Sequence, residues 1–232
     1  MAVEDDEQAK IRVLAIDGGS MKGVLPGVIL QRLAASLQKR NPNAKIGEYF
    51  DVAAGTSTGG IITAILTGPD PQNKHRPPYS ADEIVKFYRD HGPSVFNEVC
   101  YKGIFCPKFS RTYLRQIAAE MLGETLINQT TTCLPSTSSF FNQLYSQASR
   151  LLRYKGCSSV KRQTVQRMYW NISSTVRVSA LYFEYQNTEF NLVDGPFIAS
   201  MPARLAVSEV FRQEEYKNRE IILLPLGTGN YT

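Results

Sequence analysis

The chain has 232 residues, of which 43% are hydrophobic and 20% charged, and its net charge is +5. These values predict one folded domain over residues 11–232 after a short acidic, disordered tail over residues 1–10, and they exclude a chain that is disordered throughout. The first ten residues contain no apolar run of the kind found in a signal peptide, and no later stretch approaches the ~18 apolar residues of a membrane span. We therefore expect a cytoplasmic protein.

Cysteine and histidine usage predicts neither a disulfide framework nor a metal site. The 4 cysteines form no C-x-x-C pair, and the 2 histidines, His75 and His91, pair with no cysteine at ligand spacing. Both histidines are interpreted as surface residues. We expect reduced thiols, no metal and no cofactor.

Two similar units open the chain. Residues 11–16 form an apolar run that empties into a glycine-rich loop, and a helical stripe of apolar residues follows the loop. The same order of strand, glycine turn and helix recurs over residues 51–67. Two such units predict an α/β domain whose parallel strands are joined by right-handed crossovers.

The second turn has the G-x-S-x-G pattern of a nucleophile elbow. It reads Gly55-Thr56-Ser57-Thr58-Gly59 and leads into an apolar helix. A nucleophilic serine must project from a sharp turn, and glycines on either side remove β-carbons that would collide there. A glycine-rich turn without catalytic function remains the alternative for this pattern alone.

Three uses are open to the first glycine loop. A dinucleotide fingerprint fails because Gly18 and Gly19 are adjacent, and a P-loop fails because Val24 and Leu25 stand where a lysine and a hydroxyl residue must follow. The remaining use is an oxyanion hole, in which backbone N–H groups face a developing alkoxide. The candidate residues are Gly18, Gly19, Ser20, Lys22 and Gly23. Lys22 either shapes the loop or is an ordinary surface lysine.

The later elements are read from capping and periodicity. Ser80 to Glu83 is a capping box that opens a helix ending near Gly92 and Pro93. Ser110 is expected to cap a further helix that stops at Gly123. The remaining predictions are a weak strand over 130–134, an amphipathic helix over 140–152, strands over 176–183 and 190–193, a helix over 203–211 and a buried strand over 221–226.

A basic segment lies between Glu124 and Glu184. It holds seven Lys or Arg residues and no carboxylate, so it carries +7. Such a segment is compatible with contact to an anionic membrane surface, although a solvated loop of biased composition explains it equally. Its aromatic residues form no nucleic-acid motif, so no nucleic-acid partner is expected.

The serine needs a base that accepts its proton, and no histidine follows it beyond position 91. A Ser-His-Asp triad in the α/β-hydrolase order is therefore excluded. The natural candidate is Asp194, which an apolar strand delivers and which Gly195 follows. The alternative for this pair is a simple Asp-Gly turn.

Together these motifs resemble the plant patatin family of lipid acyl hydrolases. They are Asp17-Gly-Gly-Ser-Met-Lys-Gly23, Gly55-Thr-Ser-Thr-Gly59, Asp194-Gly195 and Leu226-Gly-Thr-Gly229, in this order. The resemblance implies a three-layer α/β/α sandwich around a mostly parallel sheet, and a catalytic dyad of Ser57 and Asp194. It also implies the Gly18–Gly23 loop as oxyanion hole, an acyl-serine intermediate, glycerolipid substrates (phospholipids and galactolipids), transient membrane contact and no metal.

The sequence departs from the family pattern around the proposed base. Pro196 follows Asp194-Gly195 where the family favours glycine or alanine, and Ala199-Ser-Met-Pro202 stands in place of an Asn-Asn-Pro run. The family also continues well beyond Gly229, so the chain is expected to be truncated at its C-terminus. The alternative function is thus a catalytically impaired relative with a lipid-binding, storage or interaction role.

Overall fold

A computed structural model describes most of the first half of the chain and several elements of the second half. The described residues are 10–68, 79–97, 111–122, 181–185, 188–192, 201–212, 216 and 218–229. The basic segment, His75, Asp194 and the elements expected over 130–134 and 140–152 lie outside these residues.

The two predicted strand–turn–helix units are confirmed. Strand β1 (Lys10–Ile16) passes through a 3-10 turn (Ser20–Gly23) into helix α1 (Val24–Gln38). Strand β2 (Val52–Gly55) passes through a single sharp turn into helix α2 (Thr58–Thr67). The crossover between the two strands contains α1 and a second 3-10 turn over residues 46–49.

The other described elements are four helices and three strands. They are α3 (Ala81–Asp90), α4 (Gly92–Val95), α5 (Arg111–Leu122), β3 (Leu181–Tyr185), β4 (Thr188–Leu192), α6 (Pro202–Arg212) and β5 (Glu220–Leu226). Strands β3 and β4 form an antiparallel hairpin. The first of these strands extends two residues past the predicted end at Phe183, and α6 and β5 agree with prediction to within one residue at each end.

The predicted capping box at the start of α3 is present. The backbone N–H of Ser80 donates to the carboxylate of Glu83 at 2.5 Å, and the serine side chain accepts from the backbone of Glu83 in return. The helix ends at Asp90, two residues before the predicted Gly92. The chain then turns at His91 directly into the short helix α4, whose first turn accommodates Pro93 because proline lacks only an N–H that would be unpaired there.

A parallel three-stranded sheet organises the described residues, with strand order β2-β1-β5. The register pairs Ile16 with Gly55 on one side and with Leu226 on the other. All three strands therefore end at the same edge of the sheet. Functional groups of α/β proteins gather at this carboxyl edge, because loops and helix N-termini meet there.

Helices cover both faces of the sheet, as the layered α/β prediction required. Alternate residues of the central strand point to opposite sides, so Leu14 packs with α1, α2 and α3 while Val13 packs with α6. The larger core lies on the first side and includes residues fully enclosed within it, such as Leu30 of α1 and Ile84 of α3. This core fixes the positions of α1, α2 and α3 at the carboxyl edge.

Candidate active site

Ser57 sits at the turn between β2 and α2 with an unusual backbone conformation. Its φ is 55° and its ψ is −117°, and only 6% of its surface is exposed. A non-glycine residue held outside the favoured regions costs ~1–3 kcal/mol and persists where the surrounding structure enforces it. This is the strained strand-to-helix turn on which nucleophilic serines are displayed.

Close packing of helix against strand explains the two glycines of the motif. A β-carbon on Gly55 would overlap the backbone of Gly59, and one on Gly59 would overlap the carbonyl oxygen of Ile16. Any side chain at these positions would push α2 away from the sheet. The prediction that both glycines are needed for steric reasons is therefore confirmed.

Backbone hydrogen bonds hold the turn on the neighbouring strand. The N–H of Thr56 donates to the carbonyl oxygen of Ile16 at 3.0 Å, and the N–H of Gly59 donates to that of Thr56 at 2.9 Å. The Ser57 side chain makes no capping bond to α2, so its hydroxyl is not committed to closing the helix. The N-terminus of the buried helix α2 places the positive end of its dipole beside that hydroxyl.

The glycine-rich loop after β1 lies directly against the serine. A β-carbon on Gly18 would sit 3.1 Å from Cβ of Ser57. The next residues turn sharply, and Ser20 has a φ of 51°, in the left-handed region that favours glycine. Two of the positive-φ residues in the described chain, Ser20 and Ser57, thus occupy the two facing turns of one site.

Within the loop, the predicted oxyanion residues divide into two groups. The backbone N–H of Lys22 donates to the carbonyl oxygen of Gly19 at 3.0 Å, so it is already used inside the 3-10 turn. Gly23 is buried against the side chains of Tyr88 and Thr58. The N–H groups of the residues at the start of the loop, Gly18 to Ser20, therefore remain the candidate oxyanion donors.

Thr228 is a residue of the site whose role the sequence did not reveal. Its hydroxyl donates to the carbonyl oxygen of Gly18 at 2.7 Å, and its side chain fills the space that a β-carbon on Gly19 would need. The residue is 6% exposed and follows strand β5. The Gly227-Thr228-Gly229 sequence after a buried strand was the available signal, because it places a hydroxyl at the same carboxyl edge.

Tyr88 of α3 is a second such residue. Its ring is 1% exposed, and its hydroxyl contacts the hydroxyl of Thr58 and donates to the Thr58 carbonyl oxygen at 3.3 Å. Burial raises the pKa of Tyr88 far above its ordinary value, against a smaller opposite effect of the bond to Thr58, so the phenol stays neutral. Tyr88 lies on the buried face of α3, and no local pattern in the sequence marks its contact with Thr58.

The sequence places two acidic residues after strands, Asp17 after β1 and Asp194 after β4. Asp17, at the end of β1, donates its N–H to the carbonyl oxygen of Leu226 at 2.9 Å, and partial burial raises the pKa of its carboxyl group. Asp194, the predicted base, lies outside the described residues, two positions after the end of β4. Its distance from Ser57 therefore stays a prediction.

His91 is half-buried. The prediction of a surface residue is therefore wrong. Its Nδ1 lies 3.0 Å from the hydroxyl of Tyr113, and its ring packs against Phe87 with centroids 5.6 Å apart. The imidazole thus joins α3 to α5.

Neither a group of metal ligands nor a membrane-spanning helix is found in the ranges that the structure describes. Among those residues, no group of three His, Cys, Asp or Glu side chains is placed to hold a metal ion. In the same part of the chain, no helix combines the length and the apolar character needed to cross a bilayer.

Comparison with known proteins agrees with the fold. The profile of the patatin-like phospholipase family matches residues 14–207. Patatin-01 and Patatin group A-3 of Solanum tuberosum are each 36% identical to the chain, over 94% of this chain and 60% of their own length. Patatin-12 of the same species is 37% identical with the same coverage. The chain spans about 60% of the length of these relatives.

A parallel sheet with helices on both faces and a strained serine at its carboxyl edge defines an α/β protein with a nucleophile elbow. The chain belongs to the patatin-like phospholipase family.

Proposed function

We propose that the protein is a serine lipid acyl hydrolase that cleaves fatty-acyl esters of membrane glycerolipids such as phospholipids and galactolipids. The observation that carries the proposal is the strained Ser57 elbow with the Gly18 loop packed against it at the N-terminus of α2. Membership of the patatin-like phospholipase family supports a phospholipid substrate.

In the proposed reaction, the hydroxyl oxygen of Ser57 attacks the ester carbonyl carbon while its proton passes to the carboxylate of Asp194. Backbone N–H groups at the start of the glycine loop stabilise the resulting oxyanion. The tetrahedral species collapses, the carbon–oxygen bond to the glycerol breaks, and the leaving alcohol takes the proton from Asp194. Water, with Asp194 again accepting a proton, then hydrolyses the acyl-serine.

Low exposure at the elbow suits this chemistry. A hydroxyl that is largely shielded from water reacts with a bound ester in surroundings where backbone dipoles act strongly. A carboxylate beside an apolar acyl chain would have a raised pKa and accept the serine proton more readily. No metal or cofactor takes part in the proposed steps.

Substitution of the two dyad residues tests the proposal. Ser57→Ala should lower kcat for a phospholipid ester by about four orders of magnitude, and Asp194→Asn by about 10²–10⁴-fold. EDTA should leave the rate unchanged. A fluorophosphonate probe should label the parent at Ser57 and leave Ser57→Ala unlabelled. Full activity of Asp194→Asn would contradict the dyad.

The second candidate is a catalytically impaired lipid-binding relative, and the residues around Asp194 favour it. Pro196 restricts the chain immediately after Asp194-Gly195, which affects where the carboxylate is held. In that case the probe would fail to label Ser57 in the folded parent protein, while lipid binding would persist.

A further inference from the structure

Three large apolar side chains remain exposed along one face of α1 and the turn before it. Met21 is 40% exposed, Leu25 48% and Ile29 48%. They are four residues apart along a continuous helical path, so they form a row on one face. We call these three residues the α1 apolar row. Its opposite face carries Leu30 and Ala34 into the core, so the row lies outside the buried core of the described residues.

The row begins at the candidate active site. Met21 belongs to the loop that starts at Gly18, and Cδ1 of Leu25 lies 3.8 Å from the position of a β-carbon on Gly229, the residue after Thr228. From there the helix carries the row away from the carboxyl edge for ~12 Å, at about 1.5 Å per residue. The row therefore starts in the same loop as Gly18, which packs against Ser57.

The charged residues within and just after the row in the sequence are all basic. Residues 20–47 contain no Asp or Glu and five basic residues, which are Lys22, Arg32, Lys39, Arg40 and Lys45. Arg32 is exposed and follows Ile29 by less than one turn. On the neighbouring helix α3, Asp82 accepts a hydrogen bond from Gln31 of α1 at 2.6 Å.

We propose that the α1 apolar row and Arg32 form the surface by which the protein docks on an anionic glycerolipid bilayer. Exposed apolar side chains enter the interface between head groups and acyl chains, and basic residues beside them are attracted to anionic lipid. The surface differs from the basic segment between Glu124 and Glu184. Its purpose rests on the proposed function, since docking here would bring ester groups of the bilayer to Ser57.

Vesicle binding tests the docking surface without requiring turnover. All variants carry Ser57→Ala. Binding is measured by co-sedimentation with two kinds of vesicle, one of phosphatidylcholine alone and one that also contains about 30% phosphatidylglycerol, which gives an anionic surface. Leu25→Ser/Ile29→Ser should weaken binding to the anionic vesicles by on the order of tenfold or more. Arg32→Gln should weaken it about fivefold, with no change on phosphatidylcholine alone.

The matched control is Phe211→Ser. Phe211 is 66% exposed and belongs to α6, which packs on the other face of the sheet. This variant removes more exposed apolar surface than either row substitution alone, and it should bind vesicles like the parent. Equal weakening by the control, or parent-like binding of both Leu25→Ser/Ile29→Ser and Arg32→Gln, would overturn the proposal.

Two further measurements distinguish membrane docking from catalysis and from contact between two copies of the chain. With Ser57 restored, Ile29→Ser should hydrolyse a water-soluble short-chain ester at the parent rate but lose activity on vesicles. If the parent hydrolyses neither substrate, the proposed function fails while the binding result stands by itself. The parent could instead form a concentration-dependent dimer that Leu25→Ser/Ile29→Ser abolishes without an effect on vesicle binding. That result would assign the row to contact between two copies of the chain and overturn the proposed lipid surface.

Discussion

At the scale of single residues, one peptide plane connects Thr228 to the proposed oxyanion donors. The carbonyl of Gly18 and the N–H of Gly19 belong to the same trans peptide and point in opposite directions. Because the Thr228 hydroxyl binds that carbonyl at 2.7 Å, it also fixes the direction of the Gly19 N–H. An oxyanion donor is useful only when it is oriented before the reaction, so Thr228 is a positioning residue in the proposed mechanism.

Thr228→Val should therefore lower kcat of ester hydrolysis by about tenfold to a hundredfold and leave KM nearly unchanged. Valine keeps the shape of threonine and removes only the hydroxyl, so the loop loses its anchor without a cavity. Steady-state kinetics on a soluble ester would measure the split between kcat and KM.

Thr228→Ser is the control for this prediction, because it retains the hydroxyl and should restore most of kcat. A valine variant with parent kcat would show that other contacts orient the Gly18–Gly19 peptide.

At the scale of elements, α3 holds the start of α2 through a single buried phenol. The hydroxyl of Tyr88 contacts Thr58, the first residue of α2, and both side chains press on Gly23 of the glycine loop. The ring stacks on Phe96 with centroids 6.1 Å apart, which fixes its position. Tyr88 of α3 thus contacts both the turn at Ser57 and the glycine loop.

Tyr88→Phe should lower the free energy of unfolding by about 1–2 kcal/mol, since it leaves polar groups of Thr58 without their buried partner. It should also reduce kcat, because the first turn of α2 would no longer be held against the loop. Denaturant unfolding and steady-state kinetics would measure the two effects.

Tyr79→Phe is the matched control. The hydroxyl of Tyr79 donates to the carbonyl oxygen of Met121 at 2.7 Å, at the far end of α5. This variant should cost a similar free energy of unfolding and leave kcat at the parent value. A parallel loss of kcat in both variants would reduce Tyr88 to a general stability role.

Local signals account for what could be predicted at this scale. The apolar run over 11–16, the capping box at Ser80 and the G-x-S-x-G turn each specify their element through neighbours in sequence, and the structure contains all three. Thr228 and Tyr88 act through partners 210 and 30 residues away. No local pattern encodes such contacts. The role of Asp194 is still a prediction, because it depends on the same kind of distant approach.

At the scale of the whole molecule, the described sheet has one apolar edge. Strand β5 pairs with β1 on one side and is the last strand in the order β2-β1-β5. Ile222 is 50% exposed and Leu223 37%, and adjacent residues of a strand point to opposite faces. Both faces of this edge strand thus present apolar surface, which favours pairing with another chain.

If the parent protein self-associates in solution, Ile222→Thr should reduce that association without a large loss of stability, because threonine suits a strand and lowers its apolar surface. We expect the free energy of unfolding to change by less than about 1 kcal/mol and the apparent mass in sedimentation velocity to fall toward that of one chain. Leu224→Thr is the contrast, since Leu224 packs against the main core and its loss should destabilise the fold. Unchanged association of Ile222→Thr would show that other surface drives it.

The position of β5 also has a consequence for the moment at which the protein becomes active. The loop beside Ser57 is made early in synthesis, whereas the hydroxyl that anchors it follows 210 residues later. A nascent chain on the ribosome carries the serine long before that anchor emerges, so the candidate site remains incomplete until residues 220–229 have joined the sheet. In the proposed mechanism, newly made protein would therefore not hydrolyse membrane lipids until β5 is in place.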